Sequence, residues 1–183
     1  MRTLLFVACC WLVVGVGVVD AQHEQHRSPY ADEAASEIAS LSAKEVEGLR
    51  NGDGMGLARA AELNSYPGPR HVIDLADELS LSAEQRARVT EIFDAMHEAA
   101  VRLGAEIIEA EGTMSRRFEH RHIDRAALEE LTEKLGALYG DLRNVHLEAH
   151  LAVAEVLDPE QIAEYDRLRG YADRREEMED GEG

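Results

Sequence analysis

Two apolar registers, each stepping alternately by three and four residues, constrain this chain more than anything else in it. The first runs Val89, Phe93, Met96, Ala100, Leu103, Ile107, Ala110, Met114; the second runs Leu128, Leu131, Leu135, Leu138, Leu142, Val145, Ala149, Ala152, Val156. Such stepping is the seam of helices packed at shallow angles, and no strand-like alternation competes with it. Between the registers stands Arg121-His122-Ile123-Asp124, a break short enough to make the two helices antiparallel neighbours, with Asp124 as N-cap of the second. At about 1.5 Å per residue the first helix spans roughly 55 Å. That exceeds what a compact domain needs. The expected fold is all-α: an elongated antiparallel hairpin of two long helices, with shorter N- and C-terminal helices packed at its base.

The same short signal brackets the hairpin. Leu81-Ser82-Ala83-Glu84-Gln85 precedes the first register and Leu157-Asp158-Pro159-Glu160-Gln161 follows the second. Each reads as a capping box, with Ser82 or Asp158 as N-cap and Gln85 or Gln161 at N3 reaching back. Pro159 falls at N1, where its missing N–H costs nothing. Leu41-Ser42-Ala43-Lys44-Glu45 is a third box, stapled by Leu41 and Val46.

A duplicated box around a long helical hairpin, behind a secretory signal, resembles the LTxxQ family: the Spy/CpxP-type periplasmic chaperones, the zinc-resistance-associated proteins and the periplasmic heavy-metal sensors. The matching residues are Leu81, Ser82 and Gln85, then Leu157, Asp158 and Gln161. Ser and Asp replace the motif's Thr and keep the capping chemistry. The resemblance covers about Val72 to Tyr171. It implies a bent helical hairpin, dimeric or larger, and two function classes. One is an ATP-independent chaperone or envelope-stress adaptor, with unfolded or partly folded envelope proteins, or a membrane sensor protein, as partners. The other is a sensor or buffer of a divalent transition metal such as zinc. Of the two the chaperone reading leads, and no cofactor is required.

The N-terminus carries the signal. Met1 and Arg2 precede an apolar run from Thr3 to Val19, and Val19-Asp20-Ala21 has small residues at −3 and −1. Residues 1–21 therefore read as a cleaved secretory signal, giving a periplasmic protein beginning at Gln22; an uncleaved anchor is the alternative. Cys9 and Cys10 leave with it, so the mature chain has no thiol chemistry. Residues 22–32 read as a flexible segment, 33–171 as one helical domain and 172–183 as an acidic disordered tail. The net charge of −18 argues against nucleic acid as a partner. It also departs from the basic concave face that the chaperone branch implies.

Between the signal and the hairpin, the third box should start a helix that ends near Arg50. Asn51-Gly52-Asp53-Gly54-Met55-Gly56 follows, with no strand before it and no Lys after it, so it reads as a turn and helix C-cap and not as a phosphate loop. Short helices are expected over Leu57–Leu63 and from Arg70 towards Leu79. Their apolar residues should cover a second stripe on the second long helix, Leu147, Leu151 and Ala154, to which the first long helix adds Ile92 and Ala99.

Catalytic groups are scarce. There is no G-x-S-x-G elbow, no H-E-x-x-H and no nucleotide loop, so no enzyme is expected. Two constellations remain. At the tip, Met114, Arg116, Arg117, Phe118 and Arg121 combine cations with apolar bulk, the composition of a contact surface; cations that complement a helix C-terminus are the plainer account. The other is a metal site of Asp94, His97, His146 and His150. Heptad assignment puts Asp94 at b and His97 at e on the first helix, and His146 at e and His150 at b on the second. A turn centred near residues 121 and 122 levels His97 with His146 and Asp94 with His150. Four ligand-type residues then share one flank and one height, a set suited to zinc, copper, nickel or cobalt. Solvated flank residues aligned by accident are the alternative.

Overall fold

The computed structural model describes Ser28, Tyr30 and residues 38–172; the expected signal, most of the expected N-terminal segment and all but the first residue of the expected tail lie outside these. The elements are α1 (Ala43–Asn51), α2 (Arg59–Glu62), α3 (Pro69–Asp74), α4 (Ala83–Glu119), α5 (Arg125–Val156) and α6 (Pro159–Leu168). Among the described residues there is no strand, and no helix is long and apolar enough to cross a membrane. The two long helices pack against each other with the shorter ones at their base, as the periodicity predicts.

Local chemistry sets the helix boundaries. Ser42, Ser82 and Asp158 each accept the N3 backbone N–H while the N3 side chain accepts the N-cap N–H, which makes three complete capping boxes. Asp124 caps α5 through Ala127 N–H at 2.8 Å. The hairpin turns through Arg121 in the left-handed region, φ 55°. Gly52 ends α1 at φ 63°, and its N–H returns to Gly48 and Leu49 carbonyls, the C-cap expected of it.

The seam divides into two apolar clusters. At the base, Val72, Ala76 and Leu79 from the α3 region join Val89, Ile92, Ala149, Val153 and Tyr165. Further along, Leu41 and Leu49 cover Ala100, Leu103, Ile107 and Ala110 of α4, with Leu135, Leu138 and Leu142 of α5. The close approach of α1 depends on Gly104. A Cβ there would stand 2.0 Å from the Leu49 carbonyl oxygen, so no other residue lets α1 lie this deep. Beyond α1, Ser40 donates to the buried carboxylate of Glu111 at 2.6 Å and Ala39 N–H reaches Ser115 Oγ at 3.2 Å. The cover over α4 thus extends well above the base.

One packing expectation needs correction. The short helices leave Leu151 52% exposed and Leu147 and Ala154 half-buried, while Ile92 of the first long helix is buried with Val72, Ala76 and Leu79. They cover the neighbouring flank instead, and bury His146 and His150. That flank offers a polar match to the irregular backbone of residues 64–68, whose carbonyls need donors. A leucine stripe cannot supply them.

Candidate functional site

A cavity of about 990 Å³ lies where the segment from α1 to α3 folds over the flank of the hairpin. Four histidines line it: His71, His97, His146 and His150. Pro69 at N1 starts α3 and places His71 in its first turn. His97 projects from α4 and stacks on Phe93, ring centroids 5.6 Å apart and nearly parallel. His146 and His150 stand four residues apart on α5 and so share a face.

Burial sets the electrostatics. His146 is 3% exposed, and its Nε2 is buried without a hydrogen-bond partner among the described residues. Desolvation, then the neighbouring His150, holds its pKa below the ordinary histidine value, so the ring is neutral near pH 7. Desolvation and then Arg169 lower His71 in the same way. The ring of His150 is oriented by Tyr66: its Nδ1 lies 2.7 Å from the Tyr66 carbonyl oxygen, which can only accept. Nδ1 therefore carries the proton, and in the neutral ring the lone pair sits on Nε2. Gly68 makes room for this ring, since a Cβ there would stand 3.0 Å from His150 Cε1 and 3.1 Å from Glu62 Oε2.

Glu62 ties the wall together. Its Oε1 accepts from Tyr165 at 2.6 Å and from Tyr171 at 3.0 Å, and Arg169 lies 3.4 Å away. Its Oε2 is 3.7 Å from His150 Nδ1. Burial, followed by this carboxylate, raises the Tyr165 phenol well above its usual range. The phenols stay protonated and keep donating, so Glu62 stays fixed beside the histidines.

Of the residues that the heptad argument grouped, His97, His146 and His150 line this one cavity and Asp94 does not. The cavity opens on the Phe93, Met96 and His97 side of α4, and Asp94 is exposed outside it. His71, Glu62 and Asp53 also line the cavity, and nothing in the helix periodicity points to them. They arrive by the fold-back of short segments with no register of their own. Only the Pro67-Gly68-Pro69 break and the alternating glycines mark where the chain turns. At the far end of the hairpin, Arg116, Arg117 and Arg121 are exposed, Phe118 is 52% exposed, and Met114 packs against the upper cluster.

Comparison with known families bears on the cavity. The family model described as heavy-metal resistance matches residues 54–164, more than half of the chain. The chain belongs to the heavy-metal resistance family. This family sits in the Spy/CpxP/ZraP-like group. The matched span runs from the glycine loop into α6 and includes all four cavity histidines. Searches of curated proteins and of solved structures return no match. Imidazole suits borderline transition-metal ions, and of the rings here burial favours the neutral form of His71 and His146, the latter with a buried nitrogen left unpaired. Among the described residues, however, no three His, Cys, Asp or Glu side chains stand together as a ligand set. The four imidazoles thus line one cavity without forming a metal-ligand set in this structure.

Proposed function

We propose that this chain is a periplasmic metal-binding protein that buffers or senses a divalent transition-metal ion, held in the cavity by His146 and His150. One observation carries the reading: the buried His146 Nε2 has no partner, in a cavity shared with His71, His97 and His150. An unpaired buried nitrogen costs about 1–3 kcal/mol, so its retention calls for a ligand that repays it. Tyr66 orients His150, and burial keeps His146 unprotonated, so the His146 ring is ready to donate without first releasing a proton. The bound ion contributes the cross-link between donors, and the chain performs no catalytic step. The capping boxes at Ser82 and Asp158 are this chain's form of the LTxxQ motif. The chain works as a homodimer or larger assembly, since the hairpin leaves apolar flank residues such as Leu151 exposed.

Thermal melting of the purified protein in zinc, nickel or cobalt tests the reading. At about a hundredfold excess over Kd, a folded-state ligand raises the melting temperature of a domain this size by roughly 5–10 °C. The shift should vanish in His146→Ala/His150→Ala. No shift with any of the three metals in the wild type refutes the site.

A second reading has its own observation. Phe118 is exposed among the exposed Arg116, Arg117 and Arg121 at the tip, the composition of a surface that holds unfolded envelope proteins. Suppression of client aggregation at equimolar dose without metal, lost in Phe118→Asp, would support it.

A further inference from the structure

We propose that the tip of the hairpin, residues 116–125, docks on an anionic phospholipid bilayer, with Arg116, Arg117, Arg121 and Arg125 on the lipid phosphates and Phe118 entering the interface. The surface is separate from the histidine cavity, and its occupant differs from the unfolded protein of the second reading above.

Charge pairing sets the tip apart. Elsewhere in the described chain Arg70, Arg86, Arg88, Arg102, Arg167 and Arg169 each pair with a carboxylate. None of the four tip arginines does so among the described residues, and Arg116 donates to the Thr113 hydroxyl instead, at 3.2 Å. Carboxylates are not scarce: the chain has 37 acidic residues against 19 Lys and Arg.

Helix electrostatics account for half of the cluster. Arg116 and Arg117 lie in the last turn of α4, where cations complement the dipole. Arg125 is the first residue of α5, in a first turn with no acidic residue, and a cation there opposes the dipole. Arg121 turns the chain at φ 55°, a conformation that glycine adopts freely and arginine does not. Glycine at 121 and glutamate at 125 would each make the more stable hairpin. Two arginines thus stand where folding alone disfavours them, which points to a role outside folding.

Shape and charge together select the partner. Residues 116–126 are all exposed except the half-buried Ile123, so the tip protrudes and meets a plane more readily than it encloses a peptide. Guanidinium groups bind phosphate oxygens in bidentate pairs, and Phe118, 52% exposed among them, supplies the apolar side chain that enters the headgroup boundary. The net charge of −18 does not forbid the approach. Screening confines each exposed charge to about 8 Å at physiological salt, whereas the 37 residues of α4 span about 55 Å. At the plane of contact the four arginines outnumber Glu119 and Asp124, and the next carboxylates, Glu129 and Glu130, lie a turn or more back along α5.

Co-sedimentation with vesicles tests the surface, using phosphatidylglycerol and phosphatidylcholine in equal parts, with phosphatidylcholine alone as the control. The wild type should bind the mixed vesicles and not the control, and should be released as salt rises from about 0.05 M to about 0.3 M. Arg121→Gly should weaken binding about fivefold and Arg125→Glu about 25-fold, the attraction of one and two charges near such a surface. Both variants should nevertheless melt at a higher temperature than the wild type, since each removes a local cost. Binding and stability that move in opposite directions separate a docking role from a structural one. A wild type that binds the mixed vesicles no better than the control overturns the proposal, as do variants that bind equally well or melt lower. A wild type that suppresses client aggregation and leaves the mixed vesicles unbound overturns it in favour of the second reading.

Discussion

Gln85 and Gln161 bond each other side chain to side chain: Gln85 Nε2 donates to Gln161 Oε1 at 2.8 Å, and Gln161 Nε2 donates to Gln85 Oε1 at 3.1 Å. Each amide also donates to a backbone carbonyl, Val156 for Gln85 and Leu79 for Gln161, and each oxygen accepts its own N-cap N–H. Every donor and acceptor of the pair is used. The two boxes are thus one interaction seen from two ends, joining the starts of α4 and α6.

Reciprocal saturation predicts coupling. Gln85→Ala and Gln161→Ala should each destabilise by about 1–3 kcal/mol, because each leaves the other amide and a carbonyl without a partner. The double variant should lose less than the sum, by about 0.5–3 kcal/mol. Urea unfolding of the four proteins measures this, and strictly additive losses would show that the pair does not act as a unit.

Glycines on the two long helices should respond in opposite directions. Gly104→Ala drives a methyl group into the Leu49 carbonyl and should cost about 1–3 kcal/mol or more. Gly136 and Gly140 have nothing within 4 Å of a new Cβ, so alanine at either should stabilise α5 by about 1 kcal/mol. Thermal melts that rank the three variants otherwise would contradict the packing of α1.

Tyr139 supplies an alkaline signature. Burial, then the Glu111 carboxylate, raises its phenol to about 12. Below pH 10 the phenol is protonated in both folded and unfolded chains. Between pH 10 and about 12 the unfolded chain gives up the proton more readily, so this group's contribution to stability is lost as pH rises through that window. Phenolate absorbance should show one late-titrating tyrosine fewer in Tyr139→Phe than in the wild type, with Tyr165 and Tyr171 still late, and that variant's stability should fall less steeply above pH 10.

The hairpin was legible because a seam of three-and-four steps has one solution at this loop length. The boxes at Ser42, Ser82 and Asp158 announced their helices because capping depends on a few adjacent atoms. The candidate site was legible only where it rests on the long helices. His97, His146 and His150 could be placed by register, whereas His71, Glu62 and Asp53 come from segments positioned by tertiary contacts. Burial was misjudged for a related reason. Leu147, Leu151 and Ala154 look like the face to cover, yet the covering backbone follows hydrogen bonds, such as Tyr66 carbonyl to His150, and not apolar area alone.

Native mass spectrometry of the protein with and without zinc, nickel and cobalt tests the central claim most directly, because it counts bound ions. The account predicts one ion retained per chain in the wild type and none in His146→Ala/His150→Ala, with both proteins folded by circular dichroism. A wild type that retains no ion, or a variant that retains as many, would contradict it.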